Sequence, residues 1–175
     1  MRGALALERL YPHQAAPAHA ILAASSDELA RLHGPGRWGE TVKLGAFKRG
    51  VLLRALYLAT CGGVPAATFC LARRRPSFYA PTLFARPDAP ASYLSSMAVA
   101  PALQRQGLGR WCLEQAEALA ARQRLAYMRL DAYEGPAGAG PFYQKCGYRA
   151  VGRVPLSGAA LIVFEKEVPP EGSVV

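Results

Sequence analysis

Apolar and polar residues alternate over several short stretches and fall at helical spacing over others, so the chain mixes strands with helices. Residues 4–10 alternate as a first strand, and 12–32 carry apolar positions at helical spacing. That stretch carries one or two helices, with Ser25-Ser26-Asp27 supplying a break and an N-cap for the second, and Gly34-Pro-Gly-Arg-Trp-Gly39 closes the unit. Residues 40–50 fit neither period. Runs at 54–60 and 64–72 flank Cys61-Gly62-Gly63 and predict a hairpin. A Pro-rich, aromatic-bearing loop over 73–91 then leads into a strand at 93–99.

Beyond residue 107 the period turns helical. Leu108, Cys112, Ala116 and Leu119 share one face with Trp111 beside them, while Glu114, Glu117 and Arg122 point outward. Residues 125–132 alternate as a strand, a short helix surrounds Tyr143, and two strands near 148–154 and 160–167 close the chain. No internal repeat appears. The reading is one domain over 1–168 with a frayed tail at 169–175. Its class is α/β (α+β), a mixed central sheet of about six to seven strands flanked by about four helices.

The candidate chemistry lies where the strand at 93–99 feeds Val99-Ala-Pro-Ala-Leu-Gln-Arg-Gln-Gly-Leu-Gly109 and then a helix. The first amides of a helix have no internal acceptor and point out at the positive end of its dipole. Gly107 and Gly109 remove the side chains that would hold a phosphate away, and Arg105 and Arg110 add positive charge. Such a turn suits a pyrophosphate. Two familiar phosphate motifs fail here. The dinucleotide fingerprint needs a third glycine where Cys112 stands, and no Gly-Lys-Ser/Thr run exists for a P-loop.

What remains, Gln104-Arg105-Gln106-Gly107-Leu108-Gly109 with Val99 and Pro101 ahead of it, resembles the acyl-CoA signature of the GCN5-related N-acetyltransferases (GNAT). A second segment, Ala139-Gly-Pro-Phe142-Tyr143-Gln-Lys-Cys-Gly147-Tyr148, matches that family's Ala-x-x-apolar-Tyr-x-x-x-Gly-aromatic form. The order of elements is also that of the acetyltransferase fold. The resemblance implies an N-acetyltransferase that moves an acetyl group from acetyl-CoA, its cosubstrate, to a primary amine of a small molecule by direct attack. It implies no metal. The turn residues Gln104, Arg105, Gln106, Gly107, Leu108, Gly109 and Arg110 would hold the pyrophosphate. The backbone of Met97, Ala98 and Val99 would pair with the pantetheine arm as a neighbouring strand does. Tyr143 would protonate the departing thiolate, a phenol of pKa near ~10 being a reasonable donor. A tyrosine packed between the short helix and the sheet is the other reading of Tyr143.

The sequence departs from the family pattern at Pro136, where relatives often carry an asparagine that contacts the coenzyme; proline has neither a side-chain amide nor an N–H. The stretch Gly135-Pro-Ala-Gly-Ala-Gly-Pro141 reads as a loose loop. No acidic residue lies on the strand at 93–99, so the base that deprotonates the amine is open. Asp131 and Glu134, at the end of the next strand, are within reach of such a role, and each also suits a structural one.

Composition fits this picture. The chain has 175 residues, 51% hydrophobic and 19% charged, enough for a core of its own. Lys and Arg number 21 against 12 Asp and Glu, a net charge of +9 that favours capture of a polyanionic coenzyme. The same charge leaves open a basic nucleic-acid-binding protein, although no zinc finger, RNA-binding strand signature or basic heptad helix supports it, and nucleic acid is an unlikely partner. A non-catalytic acyl-CoA-binding module is the second alternative. Cys61, Cys70, Cys112 and Cys146 lack metal-ligand spacing, and the three histidines lie far from both motifs. Met1-Arg-Gly-Ala-Leu-Ala-Leu is interrupted by Glu8 and Arg9, so no leader is read, and no apolar run approaches the roughly 20 residues that span a bilayer. The expected location is cytoplasmic, with no membrane partner, and a homodimer stays open. For the acceptor, Phe78, Tyr79 and Phe84 would wall an apolar pocket. Arg73, Arg74, Arg75 and Arg86 would pair with an acidic group on the amine.

Overall fold

The computed structural model describes residues 3–156 and 158–170; positions 171–175 of the expected tail lie outside the described residues. Two compact units emerge, one of residues up to Ala72 with Ser95–Leu113, the other of Arg73–Leu94 with the residues from Glu114 onward.

The first unit opens with strand β1 (Leu5–Leu10) and helix α1 (Ala16–His33). Helix α2 (Leu44–Val51) and strands β2 (Ala55–Cys61) and β3 (Val64–Ala72) follow. β1 runs antiparallel to β2 from Leu5↔Cys61 to Leu10↔Leu56, and β2 runs antiparallel to β3. The β2–β3 hairpin falls where the sequence places it. Gly62 and Gly63 have φ of 58° and 80°, the paired left-handed residues of a type I′ turn, which matches the twist of the flanking strands. Ala18 and Ile21 of α1, Phe47 and Val51 of α2, and Leu56, Leu58 and Cys70 of the strands form one buried cluster.

Two readings left open by the sequence resolve in this unit. α1 is a single helix that passes through Ser25-Ser26-Asp27 without a break. Ser and Asp inside a helix each cost only a few tenths of a kcal/mol, and nothing stops the chain before Gly34 at φ 78°. The stretch at 40–50, which fits no period, holds the eight-residue α2. Its Phe47 and Val51, four apart, face inward at 2% and 4% exposure, whereas Leu52 and Leu53 beyond its end are exposed.

Strand β4 (Ala91–Val99) begins two residues earlier than read, its first four residues belonging to the second unit and the rest to the first. Helix α3 (Leu108–Arg122) starts in the first unit and enters the second at Glu114, and strand β5 (Tyr127–Tyr133) follows there. Helix α4 (Gly140–Lys145) and strands β6 (Arg149–Leu156) and β7 (Ala159–Glu167) complete the unit. β4 lies parallel to β5 through Ala91↔Tyr127, Ser92↔Met128 and Tyr93↔Arg129. β5 and β6 both run antiparallel to β7. The strand order is β1-β2-β3-β4-β5-β7-β6, a mixed sheet of seven strands with four α-helices, as the sequence predicts.

α3 buries Leu108, Cys112, Leu113, Ala116 and Ala120, while Leu119 is only half-buried. Glu117 corrects the outward assignment. Its carboxylate accepts from the Tyr148 hydroxyl at 2.9 Å and from Lys166 Nζ at 2.8 Å, so it joins α3 to the strands that follow. The segment between β3 and β4 also differs from an open aromatic loop. Tyr79 and Phe84 are buried against β5 rather than lining a pocket, and Phe78 is left at the surface. Arg129, fully buried on β5, holds that segment. It donates to Glu165 Oε2 at 2.8 Å, to the Tyr93 hydroxyl at 3.1 Å and to the Arg86 carbonyl at 2.7 Å, and its guanidinium lies 3.9 Å from the centre of the Phe84 ring.

Candidate functional site

In the first unit the phosphate-type turn is built from backbone. A 3-10 turn at Pro101–Leu103 leads to Gln104, and α3 starts at Leu108. Two side chains brace the turn: Gln104 Nε2 donates to the Val99 carbonyl at 3.2 Å and Gln106 Nε2 to the Ala102 carbonyl at 3.1 Å. Arg105 and Gly107 both adopt left-handed backbone, at φ 59° and 87°. The helical ladder begins with Trp111 N–H to the Gly107 carbonyl at 3.1 Å, so the N–H groups of Gly107, Leu108 and Gly109 precede it without a helical acceptor. A Cβ at Gly107 would meet nothing within 4 Å. Glycine is therefore needed there for its backbone angle and for the open space outside it, not for internal packing. Arg105 stands exposed on the turn.

Ahead of the turn, β4 is irregular. Ser96 has φ 52°, rare for a non-glycine residue inside a strand. Arg54 supports this point: it donates to Ser95 Oγ at 3.1 Å, Ser96 Oγ at 3.5 Å and the Gly50 carbonyl at 3.2 Å. Sequence reasoning passed over Arg54, and the adjacent polar pair Ser95-Ser96 in an otherwise apolar strand was its only signal. Met97, Ala98 and Val99 follow the irregularity, with Ala98 buried and the other two half-buried.

In the second unit α4 ends in a Schellman motif. Tyr148 N–H bonds the Tyr143 carbonyl and Gly147 N–H the Gln144 carbonyl, both at 3.0 Å, with Gly147 at φ 87°. This fixes Tyr143 between Tyr148 and Phe164, whose ring centres lie 5.9 Å away in each case. Tyr143 is 6% exposed, and burial first, then the Asp131 and Cys146 charges, push its hydroxyl pKa up. The loop before α4 is tighter than its glycines suggest. A Cβ at Gly138 would lie 1.6 Å from the Tyr133 carbonyl oxygen, so this position admits glycine alone.

The two acidic candidates separate clearly. Glu134 is exposed and paired with Arg153. Asp131 is half-buried, and its Oδ2 accepts the Tyr79 hydroxyl at 2.5 Å. Burial lifts the Asp131 pKa above the usual carboxylate range, and the Tyr79 bond opposes that shift. Tyr79, 52 positions away in sequence, is the partner that no local pattern could supply.

Elsewhere in the second unit, a cavity of about 820 Å³ is lined by Arg86, Arg122, Arg124, Tyr127 and Glu167. It sits at the start of β5, opposite the end that carries Asp131, and holds no residue of either motif. Cys70, Cys112 and Cys146 are buried, and burial pushes the Cys112 thiol up to about 12, which leaves it inert at neutral pH. Among the described residues, no helix is long and apolar enough to cross a membrane, and no group of three His, Cys, Asp or Glu is placed to hold a metal ion.

Comparison with known proteins agrees with this fold. No curated protein matches the chain in sequence. Solved structures do match it in shape. A GNAT-family acetyltransferase from Listeria monocytogenes superposes with a TM-score of 0.72 at 16% identity, over 93% of this chain and 94% of that one. The ribosomal-protein-S18-alanine N-acetyltransferase of Escherichia coli gives 0.69 at 17% identity, over 98% and 99%. The Salmonella typhimurium protein yncA, solved with its cofactor acetyl-CoA, gives 0.63 at 18% identity, over 98% and 97%. A family model described as an acetyltransferase (GNAT) domain matches residues 55–150, a span that includes the glycine turn, β5 and α4. The chain belongs to the GNAT acetyltransferase family.

Proposed function

We propose that the chain, as a single catalytic domain, transfers the acetyl group of acetyl-CoA to a primary amine of a small molecule. The observation that carries this reading is the turn from Gln104 to Arg110, whose unladdered N–H groups and flanking arginines have the geometry and sign for a pyrophosphate. The acetyl-CoA bound in the Salmonella relative points to the same donor. In this reading the backbone of Met97, Ala98 and Val99 extends along the pantetheine arm, beyond Ser96 with its left-handed backbone. The amine attacks the thioester carbonyl directly, the carbon–sulfur bond breaks, and Tyr143 gives its phenolic proton to the leaving sulfur. An ammonium of pKa near ~10.4 must lose a proton first, so the reaction also needs a base.

Gly107→Asp tests the donor half. Aspartate tolerates left-handed backbone better than most residues and fits the open space there, so the fold should survive. Its carboxylate would face the pyrophosphate, and like charges so placed lower affinity by at least about tenfold, or ~1.4 kcal/mol. Calorimetry with acetyl-CoA reads this directly. Equal affinity in a folded Gly107→Asp protein removes the turn from the site. Release of CoA across a panel of amino-acid derivatives, simple amines and polyamines then identifies the acceptor class.

A further inference from the structure

The cavity at the start of β5 takes no part in the transfer reaction as described. Its volume of about 820 Å³ falls within the roughly 300–1,000 Å³ that small-molecule sites occupy, and it lies wholly in the second unit. Arg86, Arg122 and Arg124 line it from three segments: the stretch before β4, the last turn of α3 and the link from α3 to β5. Among the described residues, none of these guanidinium groups has an ion-pair or hydrogen-bond partner. The carboxylate that lines the cavity, Glu167, pairs with no arginine; its Oε1 accepts the Tyr127 hydroxyl at 3.1 Å.

Two of the arginines are placed by their main chains. Buried Arg129 donates to the Arg86 carbonyl at 2.7 Å, which fixes the point from which the Arg86 side chain extends. Arg124 closes α3 in a Schellman motif: its N–H bonds the Ala121 carbonyl at 2.8 Å, and Leu125 N–H bonds the Ala120 carbonyl at 3.0 Å. At φ 57° Arg124 holds the left-handed position that glycine fills at lower cost. An arginine held against its backbone preference points to a use for its side chain. The same two bonds take up carbonyls that would otherwise repel an anion at the end of the helix. Nearby main-chain donors are also spent, Ala126 N–H on the Pro90 carbonyl at 2.8 Å and Val168 N–H on the Ala126 carbonyl at 2.9 Å. Recognition in this cavity therefore falls to side chains.

We propose that the cavity binds a phosphorylated sugar, free or as part of a nucleotide, in a site that shares no residue with either motif. Three arginines against one glutamate leave two positive charges, a match for a phosphomonoester, which carries about −1.5 to −2 at neutral pH. A carboxylate has two oxygens and fills one guanidinium fork, whereas the three terminal oxygens of a phosphate can meet three. Glu167 selects the other end of the ligand. With Oε1 on Tyr127, its Oε2 is open to a hydroxyl donor. A sugar supplies hydroxyls there, where a bare phosphate would meet only a like charge. Leu125, Pro169 and Pro170 add apolar wall for the face of a ring.

Calorimetry on the full chain with ribose 5-phosphate and with adenosine 5′-monophosphate reads the site, coenzyme A being present in excess to fill the turn at 104–110. Saturable binding of one equivalent is expected, with inorganic phosphate roughly tenfold or more weaker. Equal affinity for the two organic probes assigns a free sugar phosphate, and tighter binding of the nucleotide assigns a nucleotide. Arg124→Gly is the decisive variant. It removes a guanidinium and relieves the left-handed backbone, so it should melt no lower than the wild type. Its affinity for the probe should nevertheless fall roughly 10–100-fold, the usual worth of charged hydrogen bonds. Arg86→Gln should weaken binding to a similar degree with its melt unchanged, because the carbonyl that Arg129 holds remains. Amide shifts on adding the probe should appear at 121–127 and 167–170, a readout that stands whether or not acetyl-CoA is the donor. The proposal is overturned by shifts confined to 104–110, by no binding of either organic probe at millimolar concentration, or by undiminished affinity in both variants. Inorganic phosphate bound as tightly as ribose 5-phosphate also overturns it.

Discussion

Replacing Tyr143 by phenylalanine should lower CoA release by roughly 10²–10⁴-fold, the usual contribution of a positioned general acid, while leaving acetyl-CoA affinity unchanged. The substitution is well suited to isolate a proton. Tyr143 packs by its ring against Phe142, Tyr148 and Phe164, and phenylalanine keeps all three contacts. The Schellman closure of α4 uses the Tyr143 carbonyl, which the substitution also keeps. A pH profile adds a signature. Burial holds the Tyr143 hydroxyl above the ordinary phenol range, so it stays protonated through neutral pH and contributes no alkaline fall in rate there. Turnover near that of the wild type would return Tyr143 to a packing role.

The largest expected loss of stability is at Arg129. Arg129→Ala strands Glu165, 4% exposed, without its main partner, and removing one member of a buried ion pair costs about 3–5 kcal/mol. Arg149 reaches the same carboxylate only at 3.6 Å from an exposed position and cannot take over. For a domain of this size each kcal/mol lowers Tm by about 2–4 °C, so a drop of roughly 6–20 °C is expected in a thermal melt. Replacing both members, Arg129→Met with Glu165→Leu, should recover much of it because no charge is left buried. A double variant as unstable as Arg129→Ala would place the loss in the Arg86 and Pro87 carbonyls, which share the same guanidinium.

These two residues also mark how far the sequence carries. The hairpin at Gly62-Gly63 and the turn from Gln104 to Gly109 were legible because their backbone conformations demand particular residues at adjacent positions. The helix cap at Gly147 was legible for the same reason. α2 was not, because its start at Lys43 has no capping side chain and its inward face is only Phe47 and Val51. The choice between one helix and two over 12–32 was not legible, because a good N-cap residue within a helix is tolerated when no stop follows. Asp131 was named as a candidate, but its hydrogen-bond partner, the Tyr79 hydroxyl, comes from a segment whose local pattern suggested only a loop. Arg129 looked like one polar position of an alternating strand. Pairings across 36 to 52 residues of sequence leave no periodic trace.

The way Arg129 holds the segment before β4 bears on how this protein can diverge. Two of its bonds to that segment end on main-chain oxygens, those of Arg86 and Pro87, which every amino acid provides. Of the side chains there, Tyr79 and Phe84 turn inward, whereas Arg73, Arg74, Ser77, Arg86 and Asp88 lie on the outside. The outer positions can therefore be rewritten freely while the path of the chain stays fixed. A library randomised at those five sites should retain the parental melting temperature in most of its members, which makes this segment a ready place to evolve new recognition on an unchanged scaffold.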